Sequence, residues 1–279
     1  MNRAMWIINV VVGKIFDVVF LPFRRLDPWF GMIVVSFLTG LLMLFIFGRT
    51  SNQDGIRRTK AKIKAHLLEL RLYKESLGQS LRSQGSIFAA NFKYIGYALK
   101  PMLVMMIPVL LILVQLNLWF GSLSLSAGQA AIVKVKLKEG TSPLRTDIRL
   151  EAPEGVDVET PALRLEESRE IDWRLRAEKN GLHVLAFHWG AETFTKSLGV
   201  GQYRLSRVPA VKPGPGFFAV MANPGEKPLA ANLPVESVEV AYFPQRLSVF
   251  GLHLHWLGAF LVLSIVFGFA FKGVFKVDI

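Results

Sequence analysis

The sequence predicts an integral membrane α-helical protein, with three transmembrane helices and a cytoplasmic helical hairpin, that also carries an extracytoplasmic all-β sandwich of immunoglobulin-like type. Three observations predict this. Three uncharged apolar runs are long enough to cross a bilayer. Most of the excess positive charge is gathered between the first two runs. Between the second and third lies a nearly neutral segment whose apolar residues alternate with period two. Of the 279 residues, 52% are hydrophobic and 19% charged, against about 25% charged in soluble domains. That balance excludes a disordered chain and a collagen. The absence of cysteine excludes a disulfide scaffold, thiol catalysis and Cys-ligated zinc.

The first span is read over residues 29–48. From Phe30 to Phe47 it carries no charge, and eighteen helical residues rise ~27 Å, close to the thickness of a hydrocarbon core. The second covers 101–120, with Gln115 and Asn117 as its strongly polar members and Pro108 inside it. The third runs from Val249 to Phe271, within a segment 249–279 that ends in a short tail. Residues 49–100 hold eleven basic and three acidic side chains, a net of +8. The positive-inside rule therefore places this segment in the cytoplasm. The N-terminus then lies outside, the C-terminus in the cytoplasm, and a prokaryotic plasma membrane is the expected location. Trp29, Trp119 and Trp256 would share the outer interface. Within residues 1–28, the stretch Ala4 to Phe20 is apolar but striped. Asn9, Gly13, Lys14 and Asp17 fall on one face, with Trp6, Ile7, Val10, Val11, Ile15, Val18 and Val19 around the rest. This reads as an amphipathic helix lying in the membrane interface, with a signal sequence or a fourth span as the alternatives.

Asp54 is placed to cap a helix starting near Gly55, and Ile56, Ile63, Leu67, Leu70 and Tyr73-Lys74 recur at helical spacing. Leu77-Gly78 reads as a break, and a second helix from about Gln79 to Lys100 leads into the second span. Two antiparallel helices would form a coiled hairpin. Arg57, Arg58, Lys60, Lys62 and Lys64 crowd its first turns. They suit a topology determinant touching anionic lipid headgroups, or a salt-sensitive contact with ribosomal RNA.

Residues 121–248 hold the predicted β-sandwich. Strands are expected at Ala131–Lys138, Thr146–Leu150, Val156–Val158, Ile171–Arg176, Gly181–Trp189 and Glu192–Leu198, with Trp173 in the core. A Pro/Gly-rich loop follows, centred on Val211 to Gly216. Gly216–Met221 and Glu236–Tyr242 read as further strands.

The chain contains no G-x-S-x-G, Walker, G-x-G-x-x-G or H-E-x-x-H motif. The histidines are His66, His183, His188, His253 and His255. Those at 253 and 255 are too close in sequence to share a helix face as metal ligands. No enzyme activity, metal or cofactor is expected.

The order of parts resembles the YidC-type membrane protein insertase superfamily, especially its minimal three-span archaeal and endoplasmic-reticulum members. The resemblance is carried by Ile15-Phe16-Asp17 through Leu26-Asp27-Pro28-Trp29, by the span ending Phe47-Gly48-Arg49, by the helix from Ile56 to Glu75, and by the junction Gly96 to Met106. It implies an insertase or chaperone that receives nascent membrane proteins, some delivered by ribosomes, in a hydrophilic groove open to lipid. The groove would be lined by Ser36, Thr39, Gln115, Asn117 and Ser264, with Arg49 as its basic residue. Arg49 stands at the membrane boundary here, where many members carry a charge deeper in the span. The resemblance also implies a client-contacting methionine surface at Met102, Met105 and Met106, since flexible thioethers suit varied apolar partners. The β-domain has no counterpart in the minimal members. It points to an alternative: a membrane-anchored assembly protein or accessory subunit whose β-domain binds an envelope partner.

Overall fold

The computed structural model describes residues 2–72, 77–201, 203–249 and 251–278. Its helices are α1 (Asn2–Phe20), α2 (Pro28–Thr50), α3 (Gln53–Leu72), α4 (Leu77–Phe120), α5 (Phe217–Ala222) and α6 (Trp256–Phe271). The chain divides into two compact units, Met1–Gly31 with Leu111–Ala259, and Met32–Leu110 with Phe260–Ile279. By length and composition α2 and α4 are apolar enough to cross a membrane, whereas α6, with 16 residues, is shorter.

The first unit is built on antiparallel sheets. Its strands are β1 (Ser122–Leu123), β2 (Ala130–Leu137), β3 (Ile148–Glu151), β4 (Val156–Val158), β5 (Leu163–Leu165), β6 (Glu170–Ala177), β7 (Gly181–Trp189) and β8 (Glu192–Val200). After these come β9 (Val211–Pro213), β10 (Val235–Val240), β11 (Phe243–Pro244), β12 (Arg246–Val249) and β13 (Leu252–His255). The larger sheet has the order β4-β6-β2-β10-β9, with β5 also on β6, and a second sheet has the order β3-β7-β8. Period-two alternation works as the sequence implies. Ala131, Val133, Val135 and Leu137 are buried while Lys134 and Lys136 turn outward. Side chains from both sheets meet in one core, where Trp173 packs edge-on to Phe187 at 5.8 Å and Phe187 stacks on Phe194 at 5.1 Å. Each such fully buried side chain contributes about 1.5–3 kcal/mol. The tight β7–β8 turn uses Gly190 at φ +56°.

Three predicted elements differ. Val211–Pro213, at the centre of the expected Pro/Gly-rich loop, is strand β9 and pairs with β10. Phe217–Ala222 is a helix, not a strand. The third apolar run does not start its helix at Val249: β12 and β13 pair as a hairpin, with Ser248 opposite His253, and α6 begins at Trp256. His255 Nδ1 accepts the Leu257 N–H at 3.2 Å and so caps α6.

Helix α1 turns Asn9 and Gly13 of its polar stripe inward and half-buries Asp17, while Lys14 is exposed. Asn9 is buried and donates to the Val220 carbonyl of α5 at 3.0 Å. Gly13 lets the Arg207 guanidinium approach, since a Cβ there would lie 3.0 Å from it. Arg207 also reaches Asp17 at 3.4 Å. Phe16 and Phe20 complete this face, and Phe20 meets Trp119 at 4.8 Å. Ile7, Val11, Ile15 and Val18 are all exposed, Val18 by 72%. Trp119 and Trp256 are buried, and the Trp29 Nε1–H donates to the Ser248 carbonyl at 2.7 Å.

In the second unit α3 and α4 run antiparallel. Gly55 lies against the Tyr97 ring, Lys60 sits over Tyr94, and Glu69 accepts from Ser83 at 3.2 Å. The cap of α3 is Asn52 rather than Asp54: its Oδ1 accepts the Gly55 N–H at 2.9 Å. The predicted break at Leu77-Gly78 falls on the first residues of α4, and Tyr73-Lys74 lies outside the described residues. No break separates the second hairpin helix from the apolar run beyond Lys100, because α4 is one helix of 44 residues that carries Pro101 and Pro108 within it. The tail after α6 folds back onto this unit. Val277 joins Leu44, Phe47 and Ile56 in a small core, the Asp278 N–H donates to Gln53 Oε1 at 2.8 Å, and its carboxylate pairs with Arg57. The Arg57 guanidinium holds the Asp278 carboxyl below the usual carboxylate range.

Candidate functional site

Within the second unit, α2, α4 and α6 enclose a groove of about 660 Å³. Its depth is set by a close helix approach: a Cβ on Gly40 would lie 3.0 Å from the Ser264 carbonyl and 3.2 Å from the Gly268 nitrogen. Side chains of α2 (Met43, Phe47) and α4 (Leu99, Met102, Met105) form its walls. No charged residue is among its lining, and its polar side chains are the hydroxyls of Thr39, Tyr94 and Ser264. The groove is therefore apolar, where a hydrophilic one was expected. An apolar groove favours the side chains of an apolar helix and penalises an unpaired charge.

The expected groove residues are only partly gathered here. Thr39 and Ser264 line the groove. Ser36 is buried with its hydroxyl unpaired among the described residues. Gln115 and Asn117 belong to the other unit. There Gln115 is buried with Oε1 unpaired among the described residues, and the Asn117 carbonyl accepts the Gly121 N–H as α4 ends. Arg49 is exposed at the end of α2, 5.0 Å over the Phe45 ring, and borders a separate cleft of about 240 Å³ with Gln53 and Lys276. Of the methionines, Met102 and Met105 line the groove and Met106 points elsewhere, 52% exposed. Met43 was missed; its position four residues after Thr39 was the available signal. The basic cluster lies along α3: Arg58, Lys62 and Lys64 are exposed, Lys60 is half-buried, and Arg57 is engaged with Asp278. The described residues hold no group of three or more His, Asp or Glu side chains placed for a metal ion.

The first unit has a buried ion pair. Lys196 is fully enclosed and its Nζ donates to Glu226 at 2.7 Å and to the Pro209 carbonyl. Burial pushes the Lys196 ammonium below the usual lysine range, and Glu226 works against that shift. The Tyr242 phenol, enclosed beside Gly199, is pushed up to about 12.

No family model matches the chain, and no curated protein matches it. Among solved structures it is similar to the S-layer protein rSbsC, residues 31–844, and to domains 4 and 5 of the S-layer protein SbsC. Each match has 16% identity over 29% of this chain and a TM-score of 0.23, and spans 12% and 42% of those chains respectively, less than half of either. A likeness of that size extends to neither fold nor function.

Proposed function

We propose that the protein is a non-enzymatic, YidC-like membrane insertase or chaperone that shelters apolar client segments. The observation that supports this best is the uncharged groove of about 660 Å³ between α2, α4 and α6, with Met43, Met102 and Met105 in its walls. In this reading α2, the apolar part of α4 and α6 cross a prokaryotic plasma membrane, α3 and the start of α4 project into the cytoplasm, and the two-sheet unit is an extracytoplasmic immunoglobulin-like sandwich. The groove receives a client by apolar contact. A nascent helix rests its side chains against the methionines, which adapt to varied shapes, and then exchanges them for lipid. The cationic side chains of α3 hold anionic headgroups or the ribosome while this happens.

The test is site-specific photocrosslinking from Thr39 and Met102 in membranes presented with ribosome-bound nascent membrane proteins. The expected result is crosslinks that depend on nascent-chain length and vanish on release. Crosslinks to a resident protein, unchanged by translation, overturn the reading. A second reading, an anchored assembly protein whose sandwich binds an envelope partner, is favoured by the cleft beside β8.

A further inference from the structure

Strand β8 pairs with β7 on one side and forms an edge of its sheet on the other. Exposed strand edges template the addition of another strand, and proteins commonly blunt them. Here the blunting proceeds residue by residue from the C-terminal end. The Gly201 N–H donates to the Leu125 carbonyl, and the Leu125 N–H to the Gly199 carbonyl. The Gly199 N–H donates to the Tyr242 hydroxyl at 3.1 Å, and the Ser197 N–H to Glu226 Oε1 at 2.7 Å. Lys196, the neighbour of Ser197, fixes that carboxylate from inside the unit. Strand alternation aims the amides of Thr195 and Thr193 the same way as those of Ser197 and Gly199.

The closure stops at these two threonines. The Thr195 carbonyl accepts from the Lys212 ammonium. Among the described residues no group meets the Thr193 and Thr195 N–H groups or the Thr193 carbonyl on the outer side. Both threonines are exposed. The open end faces a cleft of about 460 Å³, bordered by Lys212, Pro215, Lys227 and Pro228. The cleft's carboxylate, Glu192, is already held by Asn232 at 3.0 Å. Two cations, one of them half-buried, thus stand beside three unused main-chain groups.

We propose that this cleft binds an extended peptide segment with an acidic side chain, which adds as a strand beside Thr193–Thr195. The peptide backbone takes both main-chain groups of Thr193 and the amide of Thr195, as in other strand-addition sites. The carboxylate faces Lys212 and Lys227. Lys212 then turns from the Thr195 carbonyl to the incoming carboxylate, which frees that carbonyl for the ladder. The partner class is an acidic extended segment of another protein, and the inference does not depend on the groove of the other unit. A second copy of this chain is disfavoured as occupant by the two lysines each copy would bring.

The test uses the full chain in nanodiscs and a labelled six-residue peptide of alternating valine and glutamate, blocked at both ends. Saturable binding should slow amide exchange within 192–196. Lys212→Met and Lys227→Met should each weaken binding about tenfold, the scale of one charge-assisted contact. Lys227 is exposed, so its replacement leaves the fold intact should Lys212→Met disturb it. A peptide methylated on alternate backbone nitrogens, or one with lysine for glutamate, should bind at least tenfold more weakly. Absence of binding, or binding indifferent to backbone methylation, overturns the proposal. Protection of 192–196 that rises with protein concentration and needs no peptide also overturns it, by assigning the edge to a second copy.

Discussion

Lys196 carries its ammonium into the interior of the β-rich unit, and Glu226 and the Pro209 carbonyl are what make that tolerable. Removing one member of such a pair leaves the other charge enclosed without compensation, at a cost of about 3–5 kcal/mol. Glu226→Gln is therefore expected to destabilise the unit by that order, read from urea unfolding followed by fluorescence of the buried Trp173. Adding Lys196→Met to it should recover most of the loss, since no charge then remains buried. The pH dependence has a definite sign. The folded Lys196 gives up its proton below the usual lysine range because it is desolvated. Across the interval between that depressed value and the unfolded one, the unfolded chain binds more protons, and stability rises with pH. Glu226→Gln removes an influence that raises the Lys196 value, so it should widen this interval toward lower pH. An interval left unchanged would show that Glu226 does not act on the Lys196 ammonium in the folded protein. None of this was legible in the sequence. Within Glu192–Val200 the alternation marks Lys196 as inward, yet its partner lies 30 residues away in a loop that carries no periodic signal.

Periodicity works for an element when one of its faces meets water, and the errors fall where that condition fails. β2, β6, β7 and β8 alternate and were legible to within two or three residues. The apolar run from Val249 was read as helix throughout because hydropathy has no phase. The signal that separates β13 from α6 was the alternation of Leu252 and Leu254 with His253 and His255. The six-residue run Phe217–Ala222 is too short for its period to decide between helix and strand. For α1, Asn9, Gly13 and Asp17 of the stripe share a protein-facing side while Lys14 is exposed, and the sense of the stripe is the instructive part. The polar residues Asn9 and Asp17 are held by protein, and the apolar residues Val11, Ile15 and Val18 face outward. A soluble packing helix has the opposite arrangement, and in the proposed reading the outer face of α1 meets lipid. The chain has no cysteine, which makes single labels clean. An environment-sensitive fluorophore on Val11→Cys or Val18→Cys, in nanodiscs, should emit at shorter wavelength and be quenched by lipid-borne nitroxide. A label on the exposed Asp157→Cys should do neither. Labels at 11 and 18 that stay unquenched would assign that face to water or to another protein.

For the molecule as a whole, an uncharged groove and a basic helix face are two kinds of surface that composition alone merges. The charge of +12 marked the basic segment in the sequence, whereas the family resemblance implied Arg49 as the groove's cation. The structure places Arg49 outside the groove, because α2 ends with that side chain over Phe45. The groove was only partly legible because it arises from three helices far apart in sequence. The glycine that sets its depth, Gly40, carries no chemistry of its own. Charge placed on each surface should therefore act differently. Met102→Glu puts a carboxylate among apolar walls, where an ionised side chain costs about 2.5–3.5 kcal/mol against a membrane-embedded partner. It should cut client crosslinking from Thr39 by at least tenfold at any salt concentration. Lys60→Glu, Lys62→Glu and Lys64→Glu together should weaken ribosome or vesicle association, and in the unmodified protein that association should itself fall steeply as salt rises. Crosslinking of clients already in the membrane should then remain. Arg49→Ala should change client crosslinking less than about twofold, the effect of roughly 0.4 kcal/mol. If Arg49→Ala abolishes crosslinking while Met102→Glu is tolerated, clients are handled by the charged end of α2, and the apolar groove is packed by lipid.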